Sequence, residues 1–83
     1  MNRETILTTL HDALQGGFYI NEGEEVIETT TFDDLKLDSL DKVEISMVVE
    51  DTFEITLPDD SFSELVTIKE AVDLISKHIW FME

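Results

Sequence analysis

The segment from Ser39 to Phe53 places apolar side chains on two nearly opposite sides of a helix, and this doubling limits what the chain can fold into. At about 100° per residue, Ile45, Val49 and Phe53 fall in one stripe and Leu40, Val43 and Met47 in another. One stripe can face a core. The other must be covered by a different segment or stay exposed, and Glu44, Glu50 and Asp51 rim the side that carries Leu40, Val43 and Met47. A small apolar strip with a charged margin suits a transient protein interface, because burial contributes affinity while charge steers the encounter. The alternative is that the long connection preceding this helix folds over the strip.

The rest of the chain supplies partners for the inward stripe. Ile6, Leu7, Leu10 and Leu14 recur at helical spacing behind Asn2, an N-cap residue, and Gly16-Gly17 ends the pattern, which predicts a first helix over residues 3 to 15. Asp38 as N-cap and Asp41 in the first turn predict that the second helix starts at Ser39 and runs to about Phe53. Leu57-Pro58 then breaks the chain. Ser61-Phe62-Ser63-Glu64 and Thr67-Ile68-Lys69-Glu70 both have capping-box spacing. They mark a short third helix and a fourth from Ile68 to about His78, whose apolar face is Ile68, Ala71, Val72 and Ile75. The expected fold is all-α: a small four-helix bundle, with three longer helices plus a short third helix, in a single domain over residues 1–83. A long loop separates helices one and two. Phe18, Tyr19, Ile20, Val26, Ile27, Phe32 and Leu35 make that loop too apolar for a solvated linker, so it must pack. Val26 to Phe32 has strand propensity, and a hairpin there is a competing reading.

Twenty acidic residues against five basic ones give a formal charge of −15. Such a surface repels nucleic acid and anionic membranes and attracts basic protein surfaces. A composition 42% hydrophobic is that of a folded domain, so the acid decorates a structure. There is no cysteine, which excludes disulfides, thiolate metal sites and a thiol nucleophile from the polypeptide itself. Any thiol chemistry uses a borrowed thiol. The N-terminal residues lack an apolar run of signal-peptide length, and no stretch approaches the roughly 20 apolar residues of a membrane span, so a soluble cytoplasmic monomer is expected. The histidines, His11 and His78, lie in the two end helices and read as surface positions, so no base accompanies Ser39 and the chain is expected not to be an enzyme. Asp33, Asp34, Asp38 and Asp41 lack the ligand alternation of a calcium loop, and no dedicated metal site is expected.

Ser39 stands where a loop gives way to the second helix. The first-turn N–H groups and the helix dipole would stabilise a phosphate attached to its hydroxyl. Taken alone, it reads as a serine that assists the helix start.

The surrounding residues resemble the acyl carrier proteins over most of the chain. Phe32-Asp33-Asp34-Leu35 and Leu37-Asp38-Ser39-Leu40-Asp41 look like that family's central signature. So do Val43-Glu44, Met47, Glu50 and Phe53, followed by Ile55-Thr56-Leu57-Pro58-Asp59-Asp60. Thr67-Ile68 with Ala71-Val72-Asp73 looks like its last helix. The resemblance implies that Ser39 receives 4'-phosphopantetheine from coenzyme A through a separate phosphopantetheinyl transferase, and that the arm's thiol holds acyl groups as thioesters. It also implies partner enzymes, acyl-transferring and ketosynthase-type, that present basic docking patches. Asp38, Asp41, Glu44 and Glu50 would supply charge to that contact, and Leu40, Val43 and Met47 its apolar part. Fatty-acid or polyketide-type synthesis is the expected setting. A peptidyl carrier and an acidic DNA-mimicking module are the alternatives. Two positions and the C-terminal tail depart from the family. Lys36 replaces a usual glycine and raises the expectation of a different turn before Ser39. Ser46 replaces an apolar residue and is expected to loosen the core, and the tail from His78 to Glu83 is unusually apolar.

Overall fold

Asn2 opens the first helix by accepting a hydrogen bond from the Thr5 amide at 2.8 Å. In the computed structural model of the protein, which describes residues 2–58 and 60–79, this helix, α1, spans Arg3–Gly16 and buries Ile6, Leu10 and Leu14. The second, α2, spans Ser39–Phe53 and buries Ile45, Val49 and Phe53. The third, α3, spans Ile68–Ile79 and buries Ile68, Ala71, Val72, Ile75 and Ile79. α1 packs against both of the others. The fold is an all-helical bundle, as the spacing of apolar residues requires. Residues 80–83 of the apolar tail lie outside the described residues; Ile79 itself belongs to the buried face of α3.

The expected short third helix is not formed. Residues 60–64 are a run of turns. Asp60 adopts φ +60°, a left-handed conformation that a helix cannot continue through. The hydroxyls of Ser61 and Ser63 donate to the carbonyls of Pro58 and Asp60, at 2.7 and 2.9 Å, so neither is engaged in capping. Leu65 N–H reaches only as far back as the Phe62 carbonyl, the bond of a single turn. The second capping box does form: the Glu70 amide donates to Thr67 Oγ1 at 3.2 Å, and Glu70 Oε1 accepts the amides of Thr67 and Val66 at 2.9 and 2.8 Å.

The long loop packs as its composition demands. Ile20, Val26, Phe32, Leu35 and Leu37 are buried, whereas Phe18 and Ile27 are exposed. Phe32 meets Phe62 edge-on, with ring centroids 5.7 Å apart. The hairpin reading fails among the described residues, where the only extended pairing is one antiparallel bridge between Thr31 and Thr67. Around it the Phe32 amide donates to the Val66 carbonyl at 2.9 Å and the Ile68 amide to the Thr30 carbonyl at 2.8 Å. The strand-like residues thus pair with the approach to α3 and not with one another.

Every buried side chain among the described residues is apolar, and two of the five basic residues, Arg3 and Lys42, tie segments together. Arg3 of α1 bonds both Glu28 of the loop and Asp73 of α3, and Lys69 also reaches Asp73, at 3.0 Å. Lys42 donates to the Leu65 carbonyl at 2.9 Å with its ammonium 5.5 Å from the centre of the Phe32 ring. Hydrogen bonds from Arg3, then Lys69, hold the Asp73 carboxyl below its ordinary pKa. A carboxylate whose folded pKa is depressed adds stability above its unfolded value, near 4, and loses it as pH falls through the folded one. Asp73→Asn should therefore be less stable than the native chain in urea melts at pH 7, and the gap should narrow steadily below about pH 4. A gap independent of pH would mean that the ion pairs are not its source.

Candidate functional site

The approach to α2 is a chain of small hydrogen-bonded turns. Thr31 and Asp34 bond reciprocally, the Asp34 amide to Thr31 Oγ1 at 2.9 Å and the Thr31 amide to Asp34 Oδ2 at 3.1 Å. The Phe32 carbonyl accepts from both Leu35 and Leu37, at 3.1 and 2.9 Å. Between those two buried leucines, Lys36 takes φ +61°. A side chain in this left-handed region costs about 1 kcal/mol, and glycine avoids most of that cost. The turn before Ser39 is therefore the glycine-type turn after all, adopted by a lysine at some strain.

Asp38 then caps α2. Its Oδ1 accepts the Asp41 amide at 2.9 Å, and Asp41 Oδ2 accepts the Asp38 amide at 3.1 Å, which closes a capping box. The Lys42 amide makes the first helical bond, to the Asp38 carbonyl at 3.0 Å. The amides of Ser39 and Leu40, ahead of that bond, have no partner within the helix. Ser39 is exposed and is the first residue of α2. Its hydroxyl therefore sits at the positive end of the helix dipole beside free N–H groups, a place chemically suited to a covalently held phosphate.

Downstream, the two stripes separate as expected. Leu40, Val43 and Met47 are 69%, 38% and 58% exposed, whereas Ile45 and Val49 are fully buried. The long loop does not cover the strip. It does reach its margin, where Tyr19 donates its hydroxyl to Glu44 Oε1 at 3.1 Å; the Tyr19 phenol is raised above its ordinary pKa by desolvation first and by Glu44 second. Nothing in the sequence spacing marks Tyr19 for this contact, since it joins residues 25 apart. Glu50, expected on the strip's rim, turns its Oε2 to the Leu57 amide at 2.9 Å and so anchors the exit from the helix. Asp38 and Asp41 likewise serve the backbone as well as the surface charge.

Beside the strip a groove of about 350 Å³ runs between α2 and the turns after it, lined by Val43, Ser46, Met47, Glu50, Phe62 and Ser63. Ser46 stands on the wall of this groove and donates to the Val43 carbonyl at 2.6 Å, so its polarity is satisfied locally and the core beneath is undisturbed. The histidines are engaged elsewhere: His11 Nε2 lies 3.1 Å from the Glu24 carbonyl and His78 Nδ1 lies 2.9 Å from that of Leu74. Neither is bonded to Ser39.

A family model described as "phosphopantetheine attachment site" matches residues 8–75. The chain is also 35% identical over 78 residues to the acyl carrier protein of Rubrobacter xylanophilus, which covers 94% of this chain and 96% of that relative. The chain belongs to the acyl carrier protein family. Its fold is matched by the crystal structure of an acyl carrier protein from Thermotoga maritima, with a TM-score of 0.85 and 24% identity over 100% of this chain and 96% of that one. Members carry 4'-phosphopantetheine covalently and act as carriers, not as catalysts. The start of α2, with an exposed hydroxyl next to two free amides, fits that group on structural grounds. Among the described residues no helix is long and apolar enough to cross a membrane.

Two outcomes follow from this geometry. Val49→Ala should cost about 2 kcal/mol in denaturant melts, while Met47→Ala, on the open strip, should change stability by less than about 0.5 kcal/mol. Lys36→Gly should stabilise the carrier by about 0.5–1 kcal/mol, read as a higher melting temperature, because it relieves the left-handed turn.

Proposed function

We propose that the protein carries acyl groups as thioesters on a 4'-phosphopantetheine arm joined through a phosphodiester to Ser39, in fatty-acid or polyketide-type biosynthesis in the cytoplasm. The observation that carries this reading is the exposed Ser39 hydroxyl at the first residue of a helix whose start is fixed by the Asp38–Asp41 capping box. When bound, the arm supplies the thiol that a chain without cysteine lacks. The protein's own residues do the rest. Asp38 and Asp41 fix the helix start, and the Ser39 and Leu40 amides, which lack helical partners, would hold the phosphate. Leu40, Val43 and Met47 offer the apolar contact to partner enzymes, and Asp38, Asp41, Glu44 and Glu50 give that face the negative field that guides basic surfaces toward it. Those partners are a phosphopantetheinyl transferase and acyl-transferring and ketosynthase-type enzymes with basic docking patches.

Incubation with coenzyme A and a broad-specificity phosphopantetheinyl transferase, followed by intact-mass measurement, tests the assignment. The native chain should gain one phosphopantetheinyl group and Ser39→Ala none, with the melting temperature of the variant close to native because the side chain is exposed. A modified Ser39→Ala protein would sink the assignment.

A further inference from the structure

Phe18 is an outlier on two counts. Its aromatic side chain is 93% exposed, and its backbone has φ +65°, at the helix-ending position where glycine is the usual residue. The amides of Phe18 and Tyr19 return to the carbonyls of Gln15 and Leu14 at 3.1 and 2.9 Å, the paired bonds that end a helix around a left-handed residue. A glycine stands directly before it, yet Gly17 keeps φ −88° and leaves the strained position to Phe18. What requires a glycine at position 17 is Tyr19. Its ring folds back so closely that a Cβ on Gly17 would come within 2.7 Å of it, and its hydroxyl is held by Glu44 of α2. Tyr19 is thus pinned inward, and Phe18 is turned out into solvent.

Phe18 shares a groove of about 220 Å³ with Tyr19, Glu24, Asp34, Leu35 and Lys36. Lys36 precedes Ser39 by three residues, so their Cα atoms lie within about 11 Å of each other. An interface of standard size covers about 800 Å² on each partner, a disc of roughly 16 Å radius. An enzyme that uses the loaded arm acts at its far end, but the enzyme that loads the arm must bring its active site to the serine hydroxyl itself. A footprint of that size centred on Ser39 reaches Lys36, at one end of this groove.

We propose that Phe18 and the groove between it and Lys36 form a docking site for the phosphopantetheinyl transferase, with Phe18 inserted into an apolar hollow on that enzyme. The site is continuous with the strip on α2 through the Tyr19–Glu44 hydrogen bond. Its acidic wall, Glu24 and Asp34, complements a basic surface. The strain and apolar exposure at Phe18 have a use in binding that they lack in folding. The inference rests on Ser39 as the attachment residue.

The test is steady-state modification kinetics with coenzyme A and a broad-specificity transferase, together with thermal melts, on the native chain, Phe18→Gly and Phe18→Tyr. Phe18→Gly should raise KM for the carrier about fivefold with kcat unchanged, as loss of one aromatic anchor does. The same variant should melt about 4 °C higher, because a left-handed glycine is unstrained. Phe18→Tyr should keep the native KM. Modification of Phe18→Gly with the native KM would overturn the docking site and leave the Ser39 assignment standing. A native chain left unmodified at Ser39 would overturn both.

Discussion

A helix can bury one of two opposite apolar stripes against a single core, and the organisation of this carrier follows from how α2 resolves that constraint. Ile45, Val49 and Phe53 turn inward against α1 and the loop. Leu40, Val43 and Met47 are left at the surface, directly downstream of the serine that opens the helix. Because the inward stripe is clamped by the core and the helix start by Asp38, neither the strip nor Ser39 can rotate out of register. An exposed strip on a rigid element is positioned by the same burial that stabilises the fold.

The long loop completes a core that three helices alone leave open. α1 packs on both α2 and α3, and Phe32 of the loop meets Phe62 edge-on with Lys42 of α2 lying over the Phe32 ring. A chain of 83 residues buries only about 60% of the surface exposed by its unfolded form. Drawing five apolar loop residues, Ile20, Val26, Phe32, Leu35 and Leu37, into the centre extends a core that would otherwise be too small. It also fixes the turns immediately before Ser39, since Leu35 and Leu37 flank the strained Lys36.

Charge is divided between two uses. The scarce cations work within the fold: Arg3 joins the loop to α3, and Lys42 joins α2 to the segment ahead of α3. The abundant carboxylates remain largely at the surface, where mutual repulsion opposes folding but would steer a basic surface toward the protein. Several do both. Asp38 and Asp41 accept backbone amides at the start of α2 and Glu50 accepts one at its exit, and all three also add negative charge along that helix.

Much of this was legible from residue spacing. The starts and faces of α1, α2 and α3, the Asp38 cap and the division of α2 into two stripes are local properties, written in side chains three or four positions apart. The sequence by itself also determined that any reactive sulfur must be imported and that the loop must pack. What only the tertiary structure decided depends on contacts between distant residues. It replaced the short third helix by turns around a left-handed Asp60, because tertiary packing can override a capping motif. It paired Thr31 with Thr67 in place of a hairpin, left the α2 strip uncovered, and turned Glu50 onto the Leu57 amide. It also set Tyr19 against Glu44 and so sent Phe18 outward. None of these outcomes has a period in the sequence, since each is fixed by which segments meet in space and by the requirement that their backbone groups find partners there.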